Sequence, residues 1–236
     1  MGRRSDHSRE QIARMALEAA RRIVREEGLG ALTARRVAGA IGYSPGTLYL
    51  VFNNLDGLIM QLNAGTLDEL FALLRRAAES GDGGRASIRA LARGYVGFSL
   101  EHARLWGAVY EHRLPAGERV PPWLQTRIER LVGLVETPLR ELAPERDADQ
   151  VRLAANALWS GIHCACILHL SGSLEKTLGG SPLEIADSLV DQLSARLLRH
   201  LSPRGARAQR GWRRKRASDR SSRDRVAPPS GSIRKS

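Results

Sequence analysis

The chain has 236 residues, 42% of them hydrophobic, with 5% aromatics and a net charge of +12, so it is long enough to bury a real core as one or two domains. The charge is unevenly placed: residues 202–236 hold 12 basic and 2 acidic side chains, residues 1–80 hold 11 and 9, and residues 81–201 balance at 14 and 14. The foldable part is therefore nearly neutral; Arg3 and Arg4 precede no apolar signal segment and two cysteines make no disulfide framework, which excludes a secreted, disulfide-stapled class and predicts a cytoplasmic, mainly helical protein.

Ser8 and Gln11 predict a capping box that opens a first helix with Ile12, Ala16, Ala19 and Ile23 on one face and Gly28 as its stop. Thr33 suits the N-cap of a second helix carrying Val37, Ala38 and Ile41, and Gly42 supplies the left-handed residue that ends it. Ser44 caps a third helix with Pro45 at its first position, where the missing N–H costs nothing. At 100° per residue Leu48, Val51 and Phe52 turn inward, while Gly46, Tyr49 and Leu50 turn outward. Two short helices joined by a tight turn are a device for placing one of them in a DNA groove, although the same pattern alone also fits a helix pair in an ordinary bundle.

Asn54 predicts the cap of a fourth helix running to about Ser80, with Leu58, Ile59, Leu62, Leu70 and Leu74 at helical spacing. Near 25 residues, or roughly 37 Å, it suits a strut from a DNA-binding head into a second domain. SGDGG at 80–84 breaks the chain. From Arg85 to Leu201 everything reads helical: one helix is marked by Leu91, Tyr95 and Phe98, a short one spans Leu105 to His112, and another starts at Pro121 and Pro122 and kinks at Pro138. Asp147 and Gln150 box the start of a helix over 148–170, and Ser181, Pro182 and Glu184 open the last. The final two helices carry a continuous apolar stripe that needs a partner, with Leu158, Ile162, Leu189, Leu193 and Leu197 as candidates for a homodimer interface. Asn156, Ser160, His163 and His169 would be costly in lipid, so the apolar run 153–172 is expected to be no membrane span.

The string LTARRVAGAIGYSPGTLYLVF, set between an amphipathic helix and a longer one, resembles the N-terminal domain of the tetracycline-repressor (TetR) family over roughly residues 8–62. A generic helix-turn-helix does not require Thr33, Ala38, Gly42, Ser44, Gly46, Leu48, Tyr49 and Phe52 together. The resemblance implies an all-α fold, and the chain divides into three parts. Two of these are a helix-turn-helix DNA-binding domain at 8–53 and a helical effector-binding and dimerisation domain at 54–201 with 54–80 as its connecting helix; the third, a disordered basic tail at 202–236, is read from its Arg-, Ser-, Gly- and Pro-rich composition. The resemblance implies that Thr33, Ser44, Thr47 and Tyr49 contact phosphates, that Arg36 joins them, and that Pro45, Gly46, Thr47, Tyr49 and Leu50 lie against base edges. Two departures stand out: Leu50 and Val51 replace the usual polar or aromatic side chains, and Leu55 replaces the usual lysine. The segment 44–52 holds no Arg, Lys, Asn or Gln, so readout leans on Thr47, Tyr49, an apolar touch of Leu50 on a thymine methyl, and DNA shape. Trp159 and His163 also resemble the Trp-x3-His-Gly signature of one C-terminal subfamily, with Cys164 in place of its glycine.

Tyr95, Phe98, Trp106, Tyr110, Trp123, Trp159 and His163 are the candidates to line a cavity for a small-molecule effector. His163, Cys166 and His169 recur at i, i+3 and i+6, but no second cluster completes four ligands, so neither metal nor cofactor is expected. No phosphate-cradling loop, nucleophile elbow or carboxylate pair suggests an enzyme. In the tail, RGWRRKR at 210–216 could add phosphate contacts. The reading is a homodimeric, ligand-responsive regulator, most often a repressor in this family, on a near-palindromic double-stranded operator; the alternative is a helical scaffold that binds DNA without sequence preference through its tail.

Overall fold

The computed structural model describes residues 7–79, 81, 83–177 and 179–199, and all regular structure among them is helical. Helix α1 (Arg9–Glu27) opens on the capping box, with Gln11 N–H donating to Ser8 Oγ at 3.2 Å and Ser8 N–H donating to Gln11 Oε1 at 2.6 Å. Gly28 ends it at φ +87, and one 3-10 turn leads to α2 (Ala34–Ala40), whose cap Thr33 accepts from Arg36 N–H at 3.2 Å. Gly42, at φ +75, turns the chain into α3 (Pro45–Phe52). Asn54 Oδ1 accepts from Gly57 N–H at 2.7 Å as α4 (Leu55–Glu79) begins. Gly57 is required there, because a Cβ would lie 2.0 Å from the Phe52 carbonyl oxygen.

The next helices are α5 (Gly84–Glu101), α6 (Ala103–Glu111), α7 (Pro122–Leu142, with Pro138 inside it), α8 (Ala148–Leu170), the short α9 (Ser173–Thr177) and α10 (Pro182–Arg199). Asp147 accepts from Gln150 N–H at 2.8 Å to start α8, and Ser181 with Glu184 makes a reciprocal box at α10. Gly161 lets α8 and α10 approach, since a Cβ there would stand 2.9 Å from Leu189 Cδ1. Arg85, Arg89 and Arg93 on α5 face Asp187 and Asp191 on α10, with Arg85 to Asp191 at 2.7 Å and Arg93 to Asp187 at 2.8 Å. Such exposed pairs add little stability singly and act mainly to fix register.

Residues through Leu193 form one compact unit. Within it, the core beneath α1–α3 does not stop at residue 53. It takes in Leu58, Ile59 and Leu62 of α4 and Leu105 and Ala108 of α6. The basic tail of residues 202–236, with Trp212 and its arginines, lies outside the described residues. Among those described, α8 is the one helix long and apolar enough to cross a membrane; 28% of its apolar window is buried inside the chain.

Candidate functional site

Helix α3 presents its residues as its periodicity requires. Leu48 and Phe52 are buried and Val51 is half-buried, while Tyr49 is 47% and Leu50 76% exposed, the largest value for any large hydrophobic side chain among the described residues. Gly46 is exposed and Ser44, Pro45 and Thr47 are half-buried beside it. The hydroxyls of Ser44 and Thr47 pair at 3.1 Å, so Ser44 occupies the N-cap position without bonding a backbone N–H. The first-turn N–H groups of α3 keep no side-chain cap, an end that favours an anion such as phosphate. No acidic or basic residue lies on α3 itself.

Thr33 and Arg36 are exposed on α2. Arg36 is held back: its guanidinium grips Glu27 in two bonds, at 2.9 and 2.5 Å, and donates to the Ala31 carbonyl at 3.2 Å. That hydrogen bonding holds the Glu27 carboxyl below the usual carboxylate range. The start of α1 also reaches this surface, which sequence reasoning missed. Arg9 Nη2 donates to the Val51 carbonyl at 3.3 Å, and His7 Nδ1 lies 2.8 Å from Tyr43 Oη. No local pattern signals a contact between residues some forty positions apart.

A second site lies among α4, α5, α7 and α8. A small cavity there is walled by Leu74, Ile88, Leu91, Val135, Leu158 and Ile162 together with Tyr95 and Trp159. Its free space, about 20 Å³, is little more than one ordered water needs. Tyr95 is the hub of an aromatic cluster: Trp106 Nε1–H donates to Tyr95 Oη at 3.1 Å, His163 Nδ1 lies 2.8 Å from it, and Tyr110 Oη lies 3.3 Å away. The Trp159 ring sits 4.6 Å from that of Tyr95, and the His163 ring 3.9 Å from that of Tyr110. Burial pushes the Tyr95 phenol far up and the His163 imidazole down, so both are neutral at pH 7.

Of the seven pocket candidates, Tyr95 and Trp159 line the cavity, and Trp106, Tyr110 and His163 gather around Tyr95 without lining it. Phe98 is buried elsewhere, its ring 4.6 Å from that of His102, and Trp123 is 41% exposed beneath the Arg127 guanidinium. The aliphatic walls escaped sequence reasoning because a cavity-lining leucine and a core leucine carry the same signal. His163, Cys166 and His169 part company: His163 joins Tyr95, Cys166 is buried with its thiol pushed up by desolvation, and His169 pairs with Glu175.

Helix α6 belongs to both sites. Leu105 and Ala108 sit in the core beneath α1–α3, while Trp106 and Tyr110 join the aromatic cluster. Arg104 donates to the carbonyls of Arg25 and Glu26 at the end of α1, a cation where the helix dipole is negative. His112 Nε2 lies 2.8 Å from Asp56 Oδ1 in the first turn of α4.

Of the dimer candidates, Leu158 and Ile162 are each 5% exposed and line the cavity. Leu189 and Leu193 are half-buried, and Leu197 is buried. The outward face of α8 instead carries Leu153 (70% exposed), Ala157, Ser160, Cys164 and Ile167, spaced at three and four on one side of the helix.

Comparison with known proteins agrees with this architecture. Residues 16–62 match the family model described as bacterial regulatory proteins, tetR family, and residues 88–193 match a tetracyclin repressor-like C-terminal domain. The chain is 30% identical over 140 residues to the HTH-type transcriptional repressor KstR2 of Rhodococcus jostii (strain RHA1), covering 56% of this chain and 68% of that protein. Among solved structures, a protein of unknown function from Rhodococcus sp. RHA1 aligns with a TM-score of 0.65 at 22% identity, over 84% of this chain and 99% of that one. The transcriptional regulator FadR of Bacillus subtilis, in complex with stearoyl-CoA, aligns with a TM-score of 0.57 at 14% identity, over 77% and 97%. The chain belongs to the TetR family of DNA-binding transcriptional regulators.

Proposed function

We propose that the chain is a cytoplasmic, non-enzymatic repressor that binds a near-palindromic operator as a homodimer and is released from it by a small molecule. The observation that carries this reading is the double membership of α6. A helix with Leu105 and Ala108 in the head core and Trp106 and Tyr110 in the aromatic cluster cannot move for one without disturbing the other. The cavity has too little free space for an organic effector as it stands. An effector therefore binds a state in which these helices have spread, and shifts the population by its differential affinity for that state. KstR2 is a repressor by name and FadR was solved in complex with stearoyl-CoA, which supports repression and response to a small molecule. Domain roles follow: the unit around α1–α3 docks on DNA, and the helices from α4 onward sense and dimerise.

The homodimer rests on α8. Ala157, Ser160 and Cys164 are small and exposed, flanked by Leu153 and Ile167, and a second copy against that face would complete a bundle from two halves. DNA contact rests on Tyr49, Leu50, Gly46, Pro45 and Thr47, with Thr33 and Ser44 on phosphates and Arg36 once it leaves Glu27. The test is a footprint on the DNA upstream of its own gene, with the mass of the free and bound protein measured by sedimentation. A symmetric protected site with half-sites about one turn, ~34 to 36 Å, apart is expected. A monomer, or equal affinity for scrambled DNA, would overturn the reading.

A further inference from the structure

Affinity for duplex DNA comes largely from cations set against its phosphates, and α3 has to borrow them. It carries no charged side chain of its own, and α4 behind it opens on Leu55. Asp56, the next residue, is engaged by His112 at 2.8 Å, and on α2 the Arg36 guanidinium is spent on Glu27.

The start of α1 meets this shortage at one end of α3. Helices α1 and α3 pack together, and the first residues of α1 are tied to both ends of α3. His7 Nδ1 lies 2.8 Å from Tyr43 Oη in the turn ahead of it, and Arg9 Nη2 donates to the Val51 carbonyl in its last turn at 3.3 Å. Arg9 is exposed, and among the described residues it is the one basic side chain hydrogen-bonded to α3. That bond orients the guanidinium without spending its charge, because a carbonyl is neutral and the C-terminal end of a helix attracts a cation. Arg9 makes no ion pair among the described residues: Glu10, its neighbour in the chain, instead accepts from Ser8 Oγ at 2.8 Å. The remaining N–H groups of the fork are of the kind that grip phosphate oxygens in pairs. Their anchor is one residue along from Leu50, the most exposed large apolar side chain among the described residues.

We infer that Arg9, braced on the Val51 carbonyl, is a phosphate-binding residue: where α3 enters the groove, the reading on which this rests, its guanidinium holds the DNA backbone at the C-terminal end of that helix. Such a contact fixes the depth and angle at which α3 sits, and carries no sequence information of its own.

Fluorescence anisotropy across a salt series tests this, with a duplex taken from the protected DNA upstream of the protein's own gene and a scrambled duplex of equal length. Arg9→Gln should weaken binding to both and flatten the slope of log affinity against log salt by about 0.9 for each phosphate contact given up. Arg9→Lys should keep the slope. Arg22→Gln should keep it too, since it removes the same charge roughly 20 Å further along α1, beyond the screening length. The melting temperature should not move in any of the three, because both arginines are exposed. An unchanged slope in Arg9→Gln, an equal flattening in Arg22→Gln, or a loss of operator affinity at constant slope would overturn the inference; the last would make Arg9 a structural brace of α3. Tyr49→Ala tests the docking of α3 separately. Full operator affinity in that variant would overturn both readings, whereas its weakening beside a wild-type slope in Arg9→Gln would overturn the Arg9 contact alone.

Discussion

Asn63, buried in the middle of α4, donates its Nδ2 to the Ala108 carbonyl of α6 at 3.2 Å, and its Oδ1 is buried without a partner. With Arg104 on the end of α1 and His112, the C-cap of α6, on Asp56, this makes three polar ties from α6 and its cap, one to α1 and two to α4. Substituting Asn63→Leu removes one bond together with the orphaned acceptor, so net stability should change by no more than about 1 kcal/mol. Coupling should suffer more: an effector that releases the wild-type protein from DNA should release the variant less. Thermal melts and operator titrations with and without effector measure both, and wild-type release by the variant would remove this tie from the coupling path.

Leu50 gives the second prediction. Its side chain is 76% exposed, so Leu50→Ala should alter stability by less than about 0.5 kcal/mol. Specific affinity should fall roughly three- to tenfold, the scale of a lost apolar base contact. Replacing the contacted thymine by uracil, which deletes only the methyl group, should weaken wild-type binding similarly and have no further effect on the variant. Fluorescence anisotropy on the four combinations closes this double-mutant cycle.

Under the proposed phosphate contact of Arg36, its pairing with Glu27 competes with DNA. In Glu27→Gln the guanidinium loses its carboxylate partner and becomes available to a phosphate. Affinity should rise for specific and scrambled duplexes alike, and the slope of log affinity against log salt should steepen by about 0.9, one added phosphate contact. An unchanged slope would mean that Arg36 stays on α2 in the complex.

The aromatic cluster predicts a pH dependence. Burial lowers the folded-state pKa of His163 below its unfolded value, so just below pH ~6.5 the unfolded chain binds more protons and stability falls as pH drops. His163→Phe should flatten that decline in melting temperature between about pH 7 and 5. Tyr95→Phe should cost about 1–3 kcal/mol at neutral pH, because the buried Trp106 Nε1–H loses its acceptor.

Local chemistry made much of this fold legible before any packing was known. Ser8 with Gln11, Thr33, Asn54 and Asp147 each mark a helix start through a bond spanning three residues, and the structure begins its helices there. The outward turn of Tyr49 and Leu50 follows from the 100° step once Leu48 and Phe52 are committed to the interior.

Helix α8 shows where that reasoning ends. It is apolar on nearly every side, so periodicity could not choose between Leu158 and Ile162, which close on the cavity, and Leu153 and Ile167, which stand outside. Phe98 and Trp123 were indistinguishable by type from Trp106 and Trp159 until their neighbours were fixed. The sequence by itself determined where helices start, which face of α3 is free, and the family. Only the tertiary structure decided that Arg36 is tied to Glu27, that Tyr95 binds Trp106 and His163, and that α6 is shared by two sites. The reason is range: a cap or an amphipathic face is set by residues within about four positions, whereas an interior hydrogen bond depends on which helices pack together, and no window of sequence contains that information.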